Sequence, residues 1–124
     1  PIGMVSTVNK IDFPTDDLSF MQSILTKLDV PYLTGKVATG EVFMVKGERT
    51  DRVAALFTPT LCEMEGCAIA QVCLRNQVKF TALKSVSDRL CHENNADEFF
   101  NFPEAMEKLN RVVLPFAQAL KNKN

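Results

Sequence analysis

The 124-residue chain has a formal net charge of -1, with 46% hydrophobic and 23% charged residues, a composition typical of a folded domain. Because basic and acidic side chains nearly balance, neither a nucleic-acid partner nor an anionic membrane surface is expected. No apolar run approaches the roughly 18 residues that span a bilayer, and the first residues lack the pattern of a secretory leader. We therefore expect a cytoplasmic protein.

The cysteines favour free thiols over disulfides or a metal site. Cys62, Cys67, Cys73 and Cys91 lack CxxC spacing, and Cys73 lies in an apolar helical pattern, so buried thiols are expected. His92 is the only histidine, which leaves too few ligands for zinc. No metal and no organic cofactor are expected.

Glycine and proline divide the first half into short predicted elements. A helix is predicted from a cap at residues 15–17 to Asp29, because apolar residues recur there at helical spacing. Another short helix is predicted at residues 52–57, with Val53, Leu56 and Phe57 facing inward. Strands are predicted at residues 3–8, 32–34, 36–38 and 42–45.

The second half alternates strand and helix more clearly. A strand is predicted to carry Glu63 and Glu65 on one face, unless it ends before Glu65, and a helix is predicted to begin at Gly66. Apart from Lys79 and Lys84, residues 78–86 are mostly apolar, as in a strand buried on both faces. Asn101 is the predicted cap of a last amphipathic helix. This order favours a mostly parallel sheet with helical layers.

Acidic residues follow two of these predicted strands. Glu63 and Glu65 end one strand, and Asp88 follows the next, so all three are expected at the carboxyl edge where α/β sheets bind ligands. A carboxylate there can accept hydrogen bonds from the vicinal hydroxyls of a sugar. Acids and Ser-Asp pairs are also common in ordinary turns, and spacing alone leaves both interpretations open.

Three motifs together resemble the nucleoside phosphorylase superfamily, and within it the methylthioadenosine/S-adenosylhomocysteine nucleosidases. They are Thr39-Gly40-Glu41-Val42-Phe43, Glu63-Met64-Glu65-Gly66-Cys67-Ala68-Ile69-Ala70 and Leu83-Lys84-Ser85-Val86-Ser87-Asp88. The resemblance covers roughly residues 30 to 120. It implies an α/β fold with three layers, in which helices flank a mostly parallel or mixed sheet that is incomplete in this chain. Residues 1–124 would form the C-terminal half of a single domain, with no internal boundary.

The resemblance also implies roles in ribose binding for the Glu-Met-Glu motif. Met64 would pack under the ribose, and Glu65 would bind the ribose hydroxyls. Glu63 belongs to the same substrate-binding motif and would help to shape the pocket.

The purine would be held by the other two motifs. Phe43 would stack on or flank the base, with backbone groups of Met44 beside its edge. Asp88 would be the catalytic acid that protonates the adenine at N7 as the base leaves, with Ser87 beside it. The family also brings an aromatic side chain to the ligand near the start of the last helix, for which the sequence leaves three candidates: Phe99, Phe100 and Phe102.

The activity implied is the release of adenine from 5'-methylthioadenosine, and also from S-adenosylhomocysteine, by hydrolysis in methionine salvage. Family members are nearly twice as long, and the carboxylate that activates water belongs to their N-terminal half. The expected partners are therefore a purine nucleoside, the N-terminal half as another chain or segment, and a second copy of the completed domain in a homodimer. The chain would be a fragment, a processed product or a separate subunit. Phosphate-dependent cleavage and a non-catalytic role in nucleoside binding or storage remain the alternatives.

Overall fold

The computed structural model describes residues 3–5, 8–89 and 101–122. Within these ranges the chain forms helices and strands in the following order: α1 (Ser19–Lys27), β1 (Val37–Thr39), α2 (Glu48–Phe57), β2 (Leu61–Glu63), α3 (Gly66–Arg75) and α4 (Phe102–Lys121). The elements β1, α2 and β2 form a β-α-β unit, the usual way in which two neighbouring strands become parallel.

The two strands confirm the predicted parallel pairing. Val37 lies opposite Leu61, and Thr39 lies opposite Glu63 at the end of both strands. The Gly40 amide then donates to the Glu63 carbonyl at 3.0 Å. Thr39 and Glu63 therefore meet at the carboxyl edge, as the topology requires.

Helices α1 and α4 pack together and form the small core. Met21, Leu25 and Val112 are buried where the two helices meet, which matches the predicted apolar spacing in both helices. Phe20 on α1 and Phe116 on α4 add a ring contact with centroids 5.8 Å apart. The α1 prediction is confirmed in the face that it buries, but the helix is shorter than predicted: its N-cap residue is Leu18 rather than one of residues 15–17, and it ends at Lys27.

Helix α4 also begins as predicted. The Asn101 side chain accepts from the Glu104 amide at 3.2 Å, and its own amide donates to the Glu104 carboxylate at 2.6 Å. This reciprocal bonding resembles a capping box. Helix α3 also begins where it was predicted, at Gly66. None of the described helices has the length and apolarity needed to cross a membrane.

Several predicted strands of the first half are wrong. Residues 32–34 and 42–45 form no strand. Near the start, the described residues show only an isolated bridge between Val5 and Lys10. Helix α2 starts at Glu48, earlier than predicted, and Leu56 points outward with 51% of its surface exposed.

Residues 78–86 do not form the predicted strand. In the described part of the chain, their backbone hydrogen bonds connect them to Asp16 and to the end of α3, and none connects them to β1 or β2. The Asp16 amide donates to the Phe80 carbonyl at 2.9 Å. The Asp16 carboxylate in turn accepts from the Phe80 amide at 2.7 Å. A strand exists only through hydrogen bonds to a neighbouring strand, and this apolar segment has none among the described residues.

The cysteines within the described ranges are free thiols, as predicted. Cys62, Cys67 and Cys73 are half-buried rather than fully buried. Burial raises the pKa of the Cys62 thiol. Cys91 and His92 lie outside the described residues.

Candidate active site at the carboxyl edge of the sheet

Glu63 is the centre of the hydrogen-bond network at the carboxyl edge. Its Oε2 accepts from Lys84 Nζ at 2.7 Å, and its Oε1 accepts from the Thr39 hydroxyl. The Gly66 amide donates to both carboxylate oxygens, at 2.9 and 2.7 Å, and the Glu65 amide donates to Oε2 at 3.1 Å. Only 10% of the Glu63 side chain is exposed.

This network also closes the N-terminus of α3. The first amides of a helix have no partner within the helix, and here Glu63 accepts from two amides at that end while the Thr39 hydroxyl accepts from the Cys67 amide at 3.0 Å. A negative charge at this end is also stabilised by the helix dipole. The strand ends therefore fix where α3 starts.

The surroundings of Glu63 strongly favour its ionised form over its protonated form. Burial acts to raise its pKa, but hydrogen bonds from Lys84, Thr39 and the two amides outweigh burial and lower the pKa from 4.5 to about 2. Glu63 is therefore ionised at neutral pH, and the ion pair with Lys84 persists down to acidic pH.

Glu65 occupies a different environment from Glu63, because the strand ends before Glu65 and the two side chains do not share a strand face. β2 ends at Glu63, and Glu65 is the N-cap residue of α3 without a side-chain cap bond. Its side chain is exposed and makes no hydrogen bond or ion pair among the described residues. Met64, between the two, is 44% exposed.

Ser87 and Asp88 lie at the end of the segment that carries Lys84. The Ser87 hydroxyl donates to Asp88 Oδ1 at 2.8 Å, and the Ser87 carbonyl accepts from the Asn101 amide at 2.7 Å. Both side chains are half-buried. The start of α4 therefore holds this end of the segment in place.

The predicted purine contacts lie on the connection between β1 and α2. Phe43 is 59% exposed, and Met44 is half-buried. The described hydrogen bonds do not join either residue to Glu65 or Asp88, so their roles stay predictions. Of the three aromatic candidates, Phe102 is the first residue of α4, whereas Phe99 and Phe100 lie outside the described residues.

Thr39 and Lys84 belong to the site network, although sequence reasoning gave neither a role. Thr39 could have been found from its place at the end of a strand parallel to β2. Lys84 could have been found as the cation that precedes Ser87-Asp88 by three residues in a mostly apolar segment. Among the described residues, no group of three or more His, Cys, Asp or Glu side chains is placed to hold a metal ion.

Comparison with curated proteins finds relatives that include several nucleosidases. A 5'-methylthioadenosine/S-adenosylhomocysteine nucleosidase of Shewanella denitrificans is 40% identical over 70 residues, 56% of this chain and 30% of the relative. The protein of the same name from Colwellia psychrerythraea is 35% identical over 77% of this chain and 40% of the relative. The protein of the same name from Buchnera aphidicola is 29% identical over 84% of this chain and 45% of the relative. The chain thus spans less than half the length of these relatives.

No solved structure matches the chain significantly. The family model described as the phosphorylase superfamily matches residues 9–118, a range that covers nearly the whole chain and includes the three motifs. The predicted resemblance is confirmed, and the chain belongs to the phosphorylase superfamily.

Proposed function

We propose that this chain supplies the ribose-binding and base-binding residues of a purine nucleosidase. Its substrate would be 5'-methylthioadenosine, and also S-adenosylhomocysteine, and its product adenine. The observation that carries this proposal is the superfamily match over residues 9–118, together with relatives that are named for this reaction.

The contrast between the two glutamates supports a sugar-binding role for Glu65. Glu63 is almost covered and accepts from four donor groups, whereas the Glu65 carboxylate is exposed at the N-terminus of α3. Both oxygens of Glu65 are free of partners among the described residues, so they can accept from two vicinal ribose hydroxyls. Met64 is exposed beside it and can cover the ribose face.

Asp88 is proposed as the acid at the purine. Breaking the N-glycosidic bond builds positive charge on the ribosyl ring and negative charge on the leaving base, as in glycoside hydrolysis. A proton from Asp88 to N7 would neutralise the base, and the Glu65 anion near the sugar would stabilise the positive ring. The hydroxyl of Ser87, donating to Oδ1, would orient the carboxyl group and leave Oδ2 for the base, with Phe43 and Met44 flanking the purine.

We further propose that a polypeptide segment outside these residues completes the domain. A sheet of two three-residue strands is too small to be stable on its own, and α3 exposes Ile69 and Val72 by 52% and 61%. Further strands and helices of an N-terminal half would cover these surfaces and give the three-layer sheet. They would also bring the carboxylate that activates water, and the completed domain would act as a cytoplasmic homodimer in methionine salvage.

The proposal is tested on the assembly isolated with this chain. We expect adenine release from 5'-methylthioadenosine without phosphate, measured by chromatography. Asp88→Asn should lower kcat by about 10² to 10⁴, and Glu65→Gln should mainly raise KM, because charged hydrogen bonds to the ribose are lost. Glu107→Gln, which removes an exposed acid on α4, is the matched control and should change neither constant.

Other outcomes would identify the alternatives. A strict requirement for phosphate, with a ribose 1-phosphate as product, would show a phosphorylase. Tight nucleoside binding without adenine release would show a binding or storage protein. Unchanged turnover in Asp88→Asn would refute the assignment of the acid.

A further inference from the structure

Glu63 has no acceptor capacity left for a substrate. An ionised carboxylate offers about four lone-pair sites, and here the donors are the Thr39 hydroxyl, the Lys84 ammonium and the amides of Glu65 and Gly66. With 10% of its side chain exposed, Glu63 faces the protein rather than a ligand. Its charge must therefore act on the protein itself.

Gly66 shows how tightly the carboxylate fits. A Cβ atom at this position would lie 3.0 Å from Glu63 Oε1 and 3.2 Å from its carboxyl carbon. Glycine is therefore the residue that allows the first turn of α3 to close on the carboxylate without displacing it. Glu65, immediately before Gly66, is placed by the same contact.

Lys84 connects this turn to the segment that carries Ser87 and Asp88. That segment makes no backbone bond to β2 among the described residues, so no β-ladder sets its register there. A hydrogen bond of 2.7 Å from Lys84 Nζ to Glu63 Oε2 joins this segment to the first turn of α3. Asp88 follows Lys84 by four residues, a length of chain that spans at most about 14 Å.

We propose that Glu63 and Lys84 form a positioning pair that holds the Asp88 segment against the turn bearing Glu65. This inference rests on the proposed function, because it assigns the pair to the geometry of that same site. Neither residue touches the substrate; the pair sets the distance between the ribose-binding carboxylate and the acid at the purine. The 78–88 segment is held at Phe80 by Asp16 and at Ser87 by Asn101, and Lys84 supplies the tie to the sheet edge.

The test compares two lysines of the same segment in the assembly isolated with this chain. Lys84→Met removes the ion pair, and Lys79→Met removes an exposed lysine that forms no ion pair with any residue that the structure describes. We expect kcat for 5'-methylthioadenosine to fall about 100-fold in Lys84→Met, the scale of a misplacement near 1 Å. Lys84→Arg keeps the charge and should restore kcat to within about 10-fold, whereas Lys79→Met should match the unsubstituted protein.

Activity is normalised to the concentration of nucleoside-binding sites, because a purely structural defect would lower the number of sites and leave kcat per site unchanged.

The double variant Glu63→Gln/Lys84→Met tests whether the two residues act as a pair. If they do, its kcat should fall no further than that of the worse single variant. Additive losses, or equal kcat per site in Lys84→Met and Lys79→Met, would overturn the inference.

A second readout needs no turnover. Lys84→Met should shift the amide resonances of residues 85–88 in heteronuclear NMR spectra, and Lys79→Met should leave them in place. If the unsubstituted assembly releases no adenine, the proposed function fails, and these resonances still decide whether the pair places the segment. Undisturbed resonances in Lys84→Met would refute the pairing.

Discussion

The low pKa of Glu63 predicts that its ion pair stabilises the folded chain in a pH-dependent way. Its pKa is about 2 in the folded chain and 4.5 for an ordinary glutamate, so the unfolded chain binds the extra proton first as the pH falls. The stabilisation is fully present above pH 4.5 and is lost as the pH falls from 4.5 towards 2. Glu63→Gln should abolish this part of the acid sensitivity.

The size of the effect follows from the pKa difference and the exposure of the pair. A difference of one in pKa corresponds to about 1.4 kcal/mol, so the full difference would give roughly 3 kcal/mol. The Lys84 side chain is 32% exposed, and solvent screening reduces the expected contribution to about 1–2 kcal/mol. Glutamine keeps one acceptor oxygen but directs an amide at donors, which leaves part of the α3 N-terminus unsatisfied.

Urea unfolding of the assembly isolated with this chain, followed by far-ultraviolet circular dichroism, measures this contribution between pH 7 and pH 2.5. The difference in unfolding free energy between the original chain and Glu63→Gln should be largest at pH 7 and should shrink steadily below pH 4.5. Glu107→Gln, an exposed acid on α4, provides the control and should give a small difference at every pH. A difference for Glu63→Gln that stays constant across the range would refute the reasoning.

Further substitutions test the packing, and urea midpoints measure each one. Gly35→Ala should destabilise the fold by about 1–3 kcal/mol, because a Cβ there would lie 2.1 Å from Thr60 Oγ1; an unchanged midpoint would contradict that close approach. Asn101→Ala removes the cap of α4 and should cost about 1 kcal/mol. Val112→Ala, at a site 3% exposed, should cost about 2 kcal/mol, whereas Val113→Ala, 49% exposed, should cost less than about 0.5 kcal/mol. Equal effects of the two valines would show that α4 buries a different face.

Helices were predictable where local chemistry decides them. The start of α4 follows from the Asn101 side chain, and α3 begins at Gly66 as predicted. Because helical hydrogen bonds connect residues of one segment, the capping residue and the apolar spacing are enough to predict most of a helix's position. The pairing of α1 with α4 through Met21 and Val112 likewise agrees with their apolar spacing.

Strands were harder because their hydrogen bonds depend on a neighbour. Residues 78–86 have the apolar pattern of a buried strand, but among the described residues they bond to Asp16 instead of a strand. Residues 42–45 are similarly apolar, with Val45 63% exposed, and pair with nothing in the two-stranded sheet. Among the described residues neither segment has the neighbouring strand that its pattern requires, so both strand predictions are wrong.

The two glutamates of the Glu-Met-Glu motif show why residue spacing alone could not separate their roles. Alternation along a strand predicts one shared face, yet β2 ends at Glu63 because its carboxylate turns back to accept the amides of Glu65 and Gly66. The same bonds end the strand, begin α3 and leave the Glu65 side chain exposed. The largely covered carboxylate of Glu63 thereby gives the two glutamates different environments: Glu63 organises the backbone, and the Glu65 carboxylate stays exposed. The bond to Lys84 extends that organisation to the segment of Asp88.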